Sequence, residues 1–256
     1  MSRLAWGHAR IRCVQDAAYV AARVAACVAG LCAVFGASAV QAAPAVEAGD
    51  YIFVEGGSGH GSLSVKNGRF SIETLGGNCH ECQVDGKIVG RTGVATDGET
   101  TCRISMTGAN GQLKLDTGDS DACRSFCGMR ADFQGEYRKP PEACRDAARA
   151  TRLKSARALY AKKDYAGASA ALGSLVGECQ TFMNWIERDS ARSDLALAQY
   201  HLGQSAQCVA TLAQTVAIQN GTDELPPCDA DNYRSVGKAI LFNEAMCRRA
   251  AAGDKR

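Results

Sequence analysis

The placement of cysteine constrains this chain more than any other feature. Of its 13 cysteines, three lie in an apolar N-terminal stretch, and ten are spread over a glycine-rich region and then a region with helical periodicity. Disulfides form outside the cytosol and are rare inside it. Together with an export signal, this distribution predicts a mature protein that works outside the cytosol and is held by disulfides.

Residues 1–42 have the pattern of a signal peptide. Four arginines and one aspartate accompany an apolar run from Val24 to Val40, and small residues at Val40 and Ala42 are typical of signal peptidase sites. Cleavage there places the mature N-terminus at Ala43. We therefore predict a periplasmic or secreted protein with no stable membrane insertion after cleavage.

Two alternatives to cleavage follow from the same segment. An apolar run of about 17 residues can just span a bilayer, so a retained anchor is the first. The second is a lipid-modified Cys27, because Val24-Ala25-Ala26-Cys27 loosely resembles a bacterial lipobox.

The charge of the remaining chain limits its possible partners, and its composition indicates the domain boundaries. Without residues 1–42, 25 basic and 26 acidic side chains remain. Such a balance offers no basic field to attract nucleic acid or anionic lipid, so we predict no nucleic-acid partner. Composition changes near residue 144, which favours a β domain at 43–138, a linker at 139–144, a helical domain at 145–250 and a tail at 251–256.

The region 43–138 is predicted to be an antiparallel β meander. Phe70, Ile72 and Thr74 alternate with polar residues, which suits a sheet with one buried face. Few large apolar residues are available to fill its core, so we expect a small barrel or sandwich stapled by disulfides. Four dipeptides typical of tight hairpin turns recur along it: Asn67-Gly68, Asp85-Gly86, Asp97-Gly98 and Asn110-Gly111.

The second region is rich in alanine and has helical spacing. Small, large and aromatic residues follow the positions of a helical hairpin at Ala156, Leu159, Tyr165, Ala168 and Leu172. A second set lies 40 residues later, at Leu195, Ala196, Gln199, Gly203, Cys208 and Leu212. These residues resemble tetratricopeptide repeats, although the copies are longer than the family's repeat of about 34 residues and lack its early tryptophan and closing proline.

The resemblance covers about residues 150–220. It implies a stack of antiparallel helix pairs whose concave face binds a peptide or a partner protein. Residues 233–250 fit a capping helix for this stack. The predicted fold class is therefore α+β in two domains, a disulfide-stapled antiparallel β meander followed by tetratricopeptide-like hairpins.

The ten cysteines of the predicted mature chain are candidates for disulfides. The first region contains Cys79, Cys82, Cys102, Cys123, Cys127 and Cys144, and the second contains Cys179, Cys208, Cys228 and Cys247. Each number is even, so each region can be closed by its own bridges. Spacing does not fix the pairing. In the helical set we favour a bond between Cys208 and Cys247, which leaves Cys179 to pair with Cys228.

The sharpest chemical candidate is the sequence Cys79-His80-Glu81-Cys82. Two thiols at this spacing form structural disulfides, act as a redox dithiol, or bind zinc together with Cys123 and Cys127. A redox pair normally begins a helix, whereas a hairpin follows here, and an oxidising compartment disfavours zinc. We predict structural disulfides, and no metal or cofactor.

No motif commits the chain to a reaction. The glycine-rich loop Gly56–Gly61 lacks the lysine and the following helix of a phosphate-binding loop. His60, Trp185 and Tyr200 are the candidate binding residues. We predict an exported, non-catalytic binding or adaptor protein of the bacterial cell envelope, with a protein or peptide partner.

Two further functions stay open. The first is a secreted inhibitor of a lysozyme or protease, which would insert the loop Gly56–Gly61 or the loop Thr117–Ala122 into an active site. The second is a thiol oxidoreductase that uses Cys79 and Cys82.

Overall fold

The computed structural model describes residues 46–54, 60–118 and 121–253. They belong to one compact unit that spans Ala42–Arg256. The predicted signal peptide, its cleavage site at Ala43, the lipobox cysteine and most of the glycine-rich loop lie outside the described residues. Among the described residues, no helix combines the length and apolar character needed to cross a membrane.

The N-terminal part of this unit is a closed antiparallel β-barrel. Each strand pairs with the next one in sequence, and β1 pairs with β8 through Ile52 with Arg138 and Phe53 with Tyr137. The predicted meander is therefore confirmed, as a barrel. Its eight strands are β1 (Gly49–Phe53), β2 (His60–Lys66), β3 (Arg69–Leu75), β4 (Glu81–Val89), β5 (Thr92–Asp97), β6 (Thr100–Thr107), β7 (Gln112–Asp116) and β8 (Gly135–Arg138).

Strand alternation fills the inside of the barrel. In β3, Phe70, Ile72 and Thr74 are buried while their neighbours face outward or are only half-buried. Apolar side chains on the inner face exclude water, and this burial supplies most of the stabilisation. Gly86 and Gly93 line the space taken by the Phe70 ring, since an added Cβ would lie 2.6 Å and 2.9 Å from its Cε1 atom.

The hairpin turns follow the sequence prediction at two positions, differ from it by one residue at a third and contradict it at a fourth. At Asp97-Gly98 only Gly98 has positive φ, because Asp97 is the last residue of β5 and the turn is formed by Gly98-Glu99. Asn67-Gly68 and Asn110-Gly111 have positive φ at both residues, as tight hairpin turns require. The prediction of a turn at Asp85-Gly86 is wrong, because both residues lie inside β4. Gly86 occurs there because its backbone lies against the Phe70 ring and the carbonyl of Val94, not because a turn requires it.

The C-terminal part is helical. A short helix, α1 (Asp121–Arg124), lies between β7 and β8. The main helices are α2 (Asp146–Ala161), α3 (Tyr165–Cys179), α4 (Trp185–His201), α5 (Ser205–Leu212), α6 (Val216–Gln219) and α7 (Pro227–Gly253). Helix α4 packs between α3 and α5, and α7 packs against both α4 and α5.

The turns between α2 and α3 and between α4 and α5 have the same geometry. Lys163 and Gly203, 40 residues apart, have φ values of 65° and 72°. The amide of Lys163 donates to the Tyr160 carbonyl, and the amide of Gly203 donates to the Tyr200 carbonyl. Ala156 and Ala196, which precede these turns at equivalent positions, are both fully buried. The two helical hairpins therefore share a turn and a small buried contact position.

A buried polar network fixes α4 against the later helices. Asp189 is fully buried, and its Oδ2 accepts hydrogen bonds of 2.7 Å from both the Val216 amide and the Tyr233 hydroxyl. The Ala217 amide donates to that same hydroxyl at 3.0 Å. Arg192 approaches the other carboxylate oxygen at 3.6 Å. Because buried polar groups need partners, this arrangement specifies one docking of α6 and α7 on α4.

All ten cysteines of the predicted mature chain form disulfides. The pairs are Cys79–Cys228, Cys82–Cys127, Cys102–Cys123, Cys144–Cys179 and Cys208–Cys247.

Two of these bonds contradict the expectation that each region closes on itself. Cys144 pairs with Cys179 of α3, and Cys79 pairs with Cys228 of α7. The prediction of a Cys179–Cys228 bond is therefore wrong, while Cys208 and Cys247 pair as predicted. The error arises because spacing shows nothing about which barrel residues face the helices.

Apolar packing accompanies the Cys144–Cys179 bond where the barrel contacts the helices. Ile52 and Val54 of the barrel belong to one cluster with Leu175, Phe182 and Met183. Both cysteines of the Cys144–Cys179 bond lie within the same cluster. The segment 139–144, predicted as a linker, therefore ends in a buried and covalently fixed contact.

Candidate functional site

The predicted binding residue Trp185 lies in the helical core. It is 9% exposed, and its ring centroid lies 4.7 Å from that of Tyr233. A buried indole at this position stabilises the contact of α4 with α7. Trp185 thus forms no part of an accessible surface.

His60 lies at the start of β2, half-buried near the charged residues of α2 and α4. Burial lowers the pKa of His60, Arg149 lowers it further, and Glu187 and Asp146 oppose the change. Arg149 itself is buried and bound by Glu187 through hydrogen bonds of 2.8 Å and 2.9 Å. The neutral imidazole of His60 and the ion-paired guanidinium of Arg149 therefore have a structural role where the barrel meets the helices.

The structure also resolves the roles considered for Cys79 and Cys82. They are not bonded to each other, because Cys79 pairs with Cys228 and Cys82 with Cys127. The four thiols considered for zinc, which include Cys123, are all consumed by disulfides. Within the described residues, no group of three or more histidine, cysteine or acidic side chains is arranged to hold a metal ion.

Tyr200, the third predicted binding residue, belongs to a surface cluster of four rings. This aromatic cluster consists of Tyr160, Tyr165, Tyr200 and His201. Tyr165 and His201 stack with a centroid distance of 4.4 Å and an interplanar angle of 10°. Tyr160 lies 5.3 Å from Tyr165 and 5.6 Å from His201, and Tyr200 lies 5.4 Å from His201.

The two equivalent turns bring these rings together. Tyr160 and Tyr200 lie at the C-terminal ends of α2 and α4, and Tyr165 begins α3. Asp164 caps α3 by accepting a 2.9 Å hydrogen bond from the Gly167 amide. Because the turn is short and capped, Tyr165 is held beside the end of α4. His201 is exposed and the three tyrosines are half-buried, so the cluster presents ring edges and faces to solvent.

Charged residues surround the aromatic cluster. Arg157, one turn before Tyr160 in α2, donates a 2.7 Å hydrogen bond to Asp194 of α4. This ion pair engages the Asp194 carboxylate. Lys162 and Lys163, in the turn that joins the two tyrosine-bearing helices, are both exposed, and so is Asp164 beside them. The cluster therefore has an accessible border with a net positive charge, two lysines against one aspartate.

Burial raises the pKa of the Tyr160 hydroxyl, and the nearby Tyr165 and Asp194 raise it further. The phenol therefore stays neutral at physiological pH, where its hydroxyl can donate a hydrogen bond. Rings with an apolar face and a polar tip are enriched at protein interfaces for this reason. The arrangement is suited to binding, and it holds no nucleophile paired with a base.

A cleft of about 480 Å³ lies elsewhere, beside the turn between β6 and β7. Its lining includes Glu47, Arg138, Lys139 and Phe182. The Lys139 ammonium donates to Glu47 at 2.5 Å and to the Ala48 carbonyl at 2.6 Å, so its charge is engaged within the protein. The aromatic cluster offers the more accessible chemistry.

Sequence reasoning selected Tyr200 and missed its partners. Tyr165 is predicted only as a position of the helical hairpin, and Tyr160 and His201 are not among the predicted binding residues. The available signal was the 40-residue offset, which places Tyr160 and Tyr200 at the same turn. Neighbouring helical hairpins with the same turn bring equivalent positions close together, so that offset is the pattern that identifies the cluster.

Comparison of this chain with protein-family models, with curated proteins and with solved structures finds no match.

Proposed function

We propose that this chain is an exported, non-catalytic binding protein of the bacterial cell envelope. In this proposal the barrel and a short tetratricopeptide-like stack form a rigid body, and the aromatic cluster binds an acidic peptide segment of a partner protein. The observation that carries the proposal is the solvent-accessible stack of Tyr165 on His201, bordered by Lys162 and Lys163.

Three features support the separate parts of this proposal. Five disulfides favour an oxidising, extracytoplasmic location, periplasmic or secreted. The shared turns at Lys163 and Gly203 support a repeat of the helical hairpin. The exposed lysines favour an acidic partner, because complementary charge steers association and suppresses wrong partners.

The α2 and α4 helices support a preformed surface. They run parallel, because the contacts of Arg149 with Glu187 and of Arg157 with Asp194 advance in the same direction along both helices. The contact of Tyr160 with His201 continues the same series. A surface that is ordered before binding loses less conformational entropy when a partner docks.

Display of random dodecapeptides against the oxidised protein tests the proposal. We expect enrichment of peptides with several carboxylates and an aromatic or aliphatic residue. Tyr165→Ala and His201→Ala should each weaken these peptides about tenfold or more, because truncation of a hot-spot aromatic costs about 2 kcal/mol or more and about 1.4 kcal/mol is tenfold in affinity. Lys162→Glu should weaken them through charge reversal and reduce the salt dependence of binding.

Two variants control for indirect effects. Lys163→Gly removes one charge but keeps the positive φ, as Gly203 does in the second turn, so it should weaken acidic peptides without disturbing the fold. Val89→Ala removes an exposed side chain of the barrel and should leave binding unchanged. Peptides that bind the cluster variants as tightly as the wild type would contradict the proposed site.

A secreted inhibitor is the second candidate, and Met129 favours it. This side chain is 93% exposed on a tight turn that directly follows the Cys82–Cys127 disulfide. The Gly128 amide donates to the Glu81 carbonyl at 2.8 Å, which fixes the turn to the barrel. Inhibition of a lysozyme or protease that Met129→Asp abolishes would favour this function over the aromatic-cluster proposal. Parts of the two loops first predicted for this role lie outside the described residues.

A further inference from the structure

The disulfide between Cys79 and Cys228 differs from the other four in its exposure. Both of its half-cystines are half-buried, so both remain partly accessible to solvent. Each of the other bonds contains at least one cysteine that is almost completely buried: Cys82, Cys102, Cys144 and Cys208 are 2% exposed or less. Thiol–disulfide exchange requires a thiolate to reach a sulfur in line with the bond. Of the five disulfides, Cys79–Cys228 is therefore the most accessible to an attacking thiolate.

Cys228 also occupies the position of a good leaving thiolate. It lies in the first turn of α7, a helix of 27 residues. Amide groups and the helix dipole at such a position stabilise a thiolate and lower the pKa of a reduced cysteine. One turn later, the Asn232 side-chain amide lies 3.8 Å from the Cys228 sulfur and 3.3 Å from the Cys79 sulfur. This donor is placed to stabilise negative charge as the bond breaks.

The backbone on the other side of the bond is unusual. Asn78 and Cys79 are consecutive residues with Cβ atoms, and both have a φ of 57°. This left-handed conformation is unfavourable for such residues and persists when the surrounding contacts hold it. Here the holding contacts are the disulfide itself and the hydrogen bonds of Asn78 with the first turn of α7. Backbone hydrogen bonds also hold this turn, from the Gly77 amide to the Arg130 carbonyl and from the His80 amide to the Gly77 carbonyl. Cleavage of the bond therefore removes the covalent constraint and leaves the hydrogen bonds.

We propose that Cys79–Cys228 is a thiol–disulfide exchange site, reduced by a dithiol of the extracytoplasmic compartment and reformed by transfer of its two electrons to the disulfide form of such a dithiol, while the other four disulfides stay closed. A thiolate of the reductant attacks the Cys79 sulfur, the Cys79–Cys228 bond breaks, and Cys228 leaves as a thiolate. The second thiol of the reductant then attacks the mixed disulfide and releases Cys79. The protein gains two electrons and two protons, and the reductant becomes a disulfide.

The consequence is a change in how the barrel is fixed to α7. The bond joins residues that are 149 positions apart, one in the barrel and one in the last helix. After reduction, the covalent connection of the barrel to the helices passes through the chain near Cys144 and the Cys144–Cys179 bond. Exchange at this site thus alters the attachment of α7 without opening either core. This inference requires an extracytoplasmic location and is independent of what the aromatic cluster binds.

Differential alkylation of the oxidised full chain tests the proposal. The protein is equilibrated with mixtures of reduced and oxidised dithiothreitol, alkylated with N-ethylmaleimide, and mapped by peptide mass spectrometry. We expect Cys79 and Cys228 to be alkylated together at a ratio of reduced to oxidised reagent about tenfold lower than any other pair requires. Opening of another pair at the same or a lower ratio would overturn the proposal.

Two further measurements test which sulfur is attacked and whether the other four disulfides are independent of this one. Brief exposure to glutathione should give a mixed disulfide on Cys79, since Cys228 is the leaving group, and a predominant adduct on Cys228 would overturn the assigned direction. In the Cys79→Ser/Cys228→Ser double variant, the remaining four bonds should open at the same reagent ratio as in the wild type. Easier opening of those four would show that Cys79–Cys228 is structural and not an independent exchange site.

Discussion

The side chain of Asn78 caps helix α7 from the barrel. Its Oδ1 accepts a 3.1 Å hydrogen bond from the amide of Cys228, 150 positions later in the sequence. In return, the Asn78 amide donates a 2.9 Å hydrogen bond to Oδ2 of Asp229. Helix termini leave amides without partners inside the helix, and here a residue from the barrel supplies one. The Cys79–Cys228 bond is adjacent, so covalent and hydrogen-bonded contacts fix the same point.

Two substitutions of Asn78 should distinguish the contribution of the cap to stability from that of the left-handed backbone conformation. Asn78→Gly tolerates the φ of 57° but removes the hydrogen bond to α7, so we expect a loss of about 1 kcal/mol in the free energy of unfolding. Asn78→Ala loses the same bond and keeps a Cβ in the left-handed region, which glycine avoids, so it should cost about 1 kcal/mol more. Urea unfolding with the disulfides intact measures both values. An alanine variant as stable as the glycine variant would contradict this account.

The lowered pKa of His60 predicts a pH-dependent stability. Burial keeps the folded-state pKa below the ordinary value of 6.5, with a further contribution from Arg149. The unfolded chain therefore binds more protons, and the free energy of unfolding should fall as the pH drops through 6.5 toward the lowered pKa. Above 6.5 this contribution to stability is fully present.

Urea unfolding at about pH 8 and about pH 5 measures the effect in wild type and in His60→Gln. We expect a smaller difference between the two pH values in the variant. His201→Gln, which changes an exposed histidine, is the matched control and should keep the wild-type difference. Equal pH dependence in His60→Gln and wild type would show that His60 is not desolvated.

Two glycines should respond to alanine in opposite directions. At Gly86, an added Cβ would lie 2.2 Å from the Val94 carbonyl oxygen and 2.6 Å from the Phe70 ring. Overpacking of this kind costs about 1–3 kcal/mol. At Gly177, inside α3, nothing lies within 4 Å of an added Cβ, so alanine should stabilise the protein by about 0.5–1 kcal/mol. Thermal unfolding of both variants decides whether the barrel is packed as described.

The buried hydroxyl of Tyr233 should be required for full stability. Tyr233→Phe preserves the ring beside Trp185 but leaves the Ala217 amide without its acceptor and removes a donor to Asp189. An unsatisfied buried donor costs about 1–3 kcal/mol. Tyr200→Phe, at a half-buried ring of the aromatic cluster, should change stability by less than about 0.5 kcal/mol. Similar losses in the two variants would argue against the buried network.

Local sequence signals account for much of the fold. The turns at Asn67-Gly68 and Asn110-Gly111 depend on the φ preferences of the residues themselves, so they were predictable. Helices α2 and α3 follow their apolar periodicity for the same reason. Asp85-Gly86 has the same local preference, but a distant ring and strand pairing place it inside β4.

The remaining features depend on contacts between distant segments. Strand β8 (Gly135–Arg138) is only four residues long and becomes a strand by pairing with β7 and β1, so its own sequence carries little signal. The Cys79–Cys228 bond depends on the docking of α7, which cysteine counting does not address. The aromatic cluster is an intermediate case, because the 40-residue offset aligns Tyr160 with Tyr200 but does not show the stacking of Tyr165 on His201.

The central claim is that one disulfide-fixed body presents the aromatic cluster, and a disulfide map of the exported protein tests it most directly. The protein is alkylated without reduction, digested, and its crosslinked peptides are identified by mass spectrometry. We predict five bonds, Cys79–Cys228, Cys82–Cys127, Cys102–Cys123, Cys144–Cys179 and Cys208–Cys247. A Cys79–Cys82 bond, or bonds confined to either the barrel or the helices, would contradict the account.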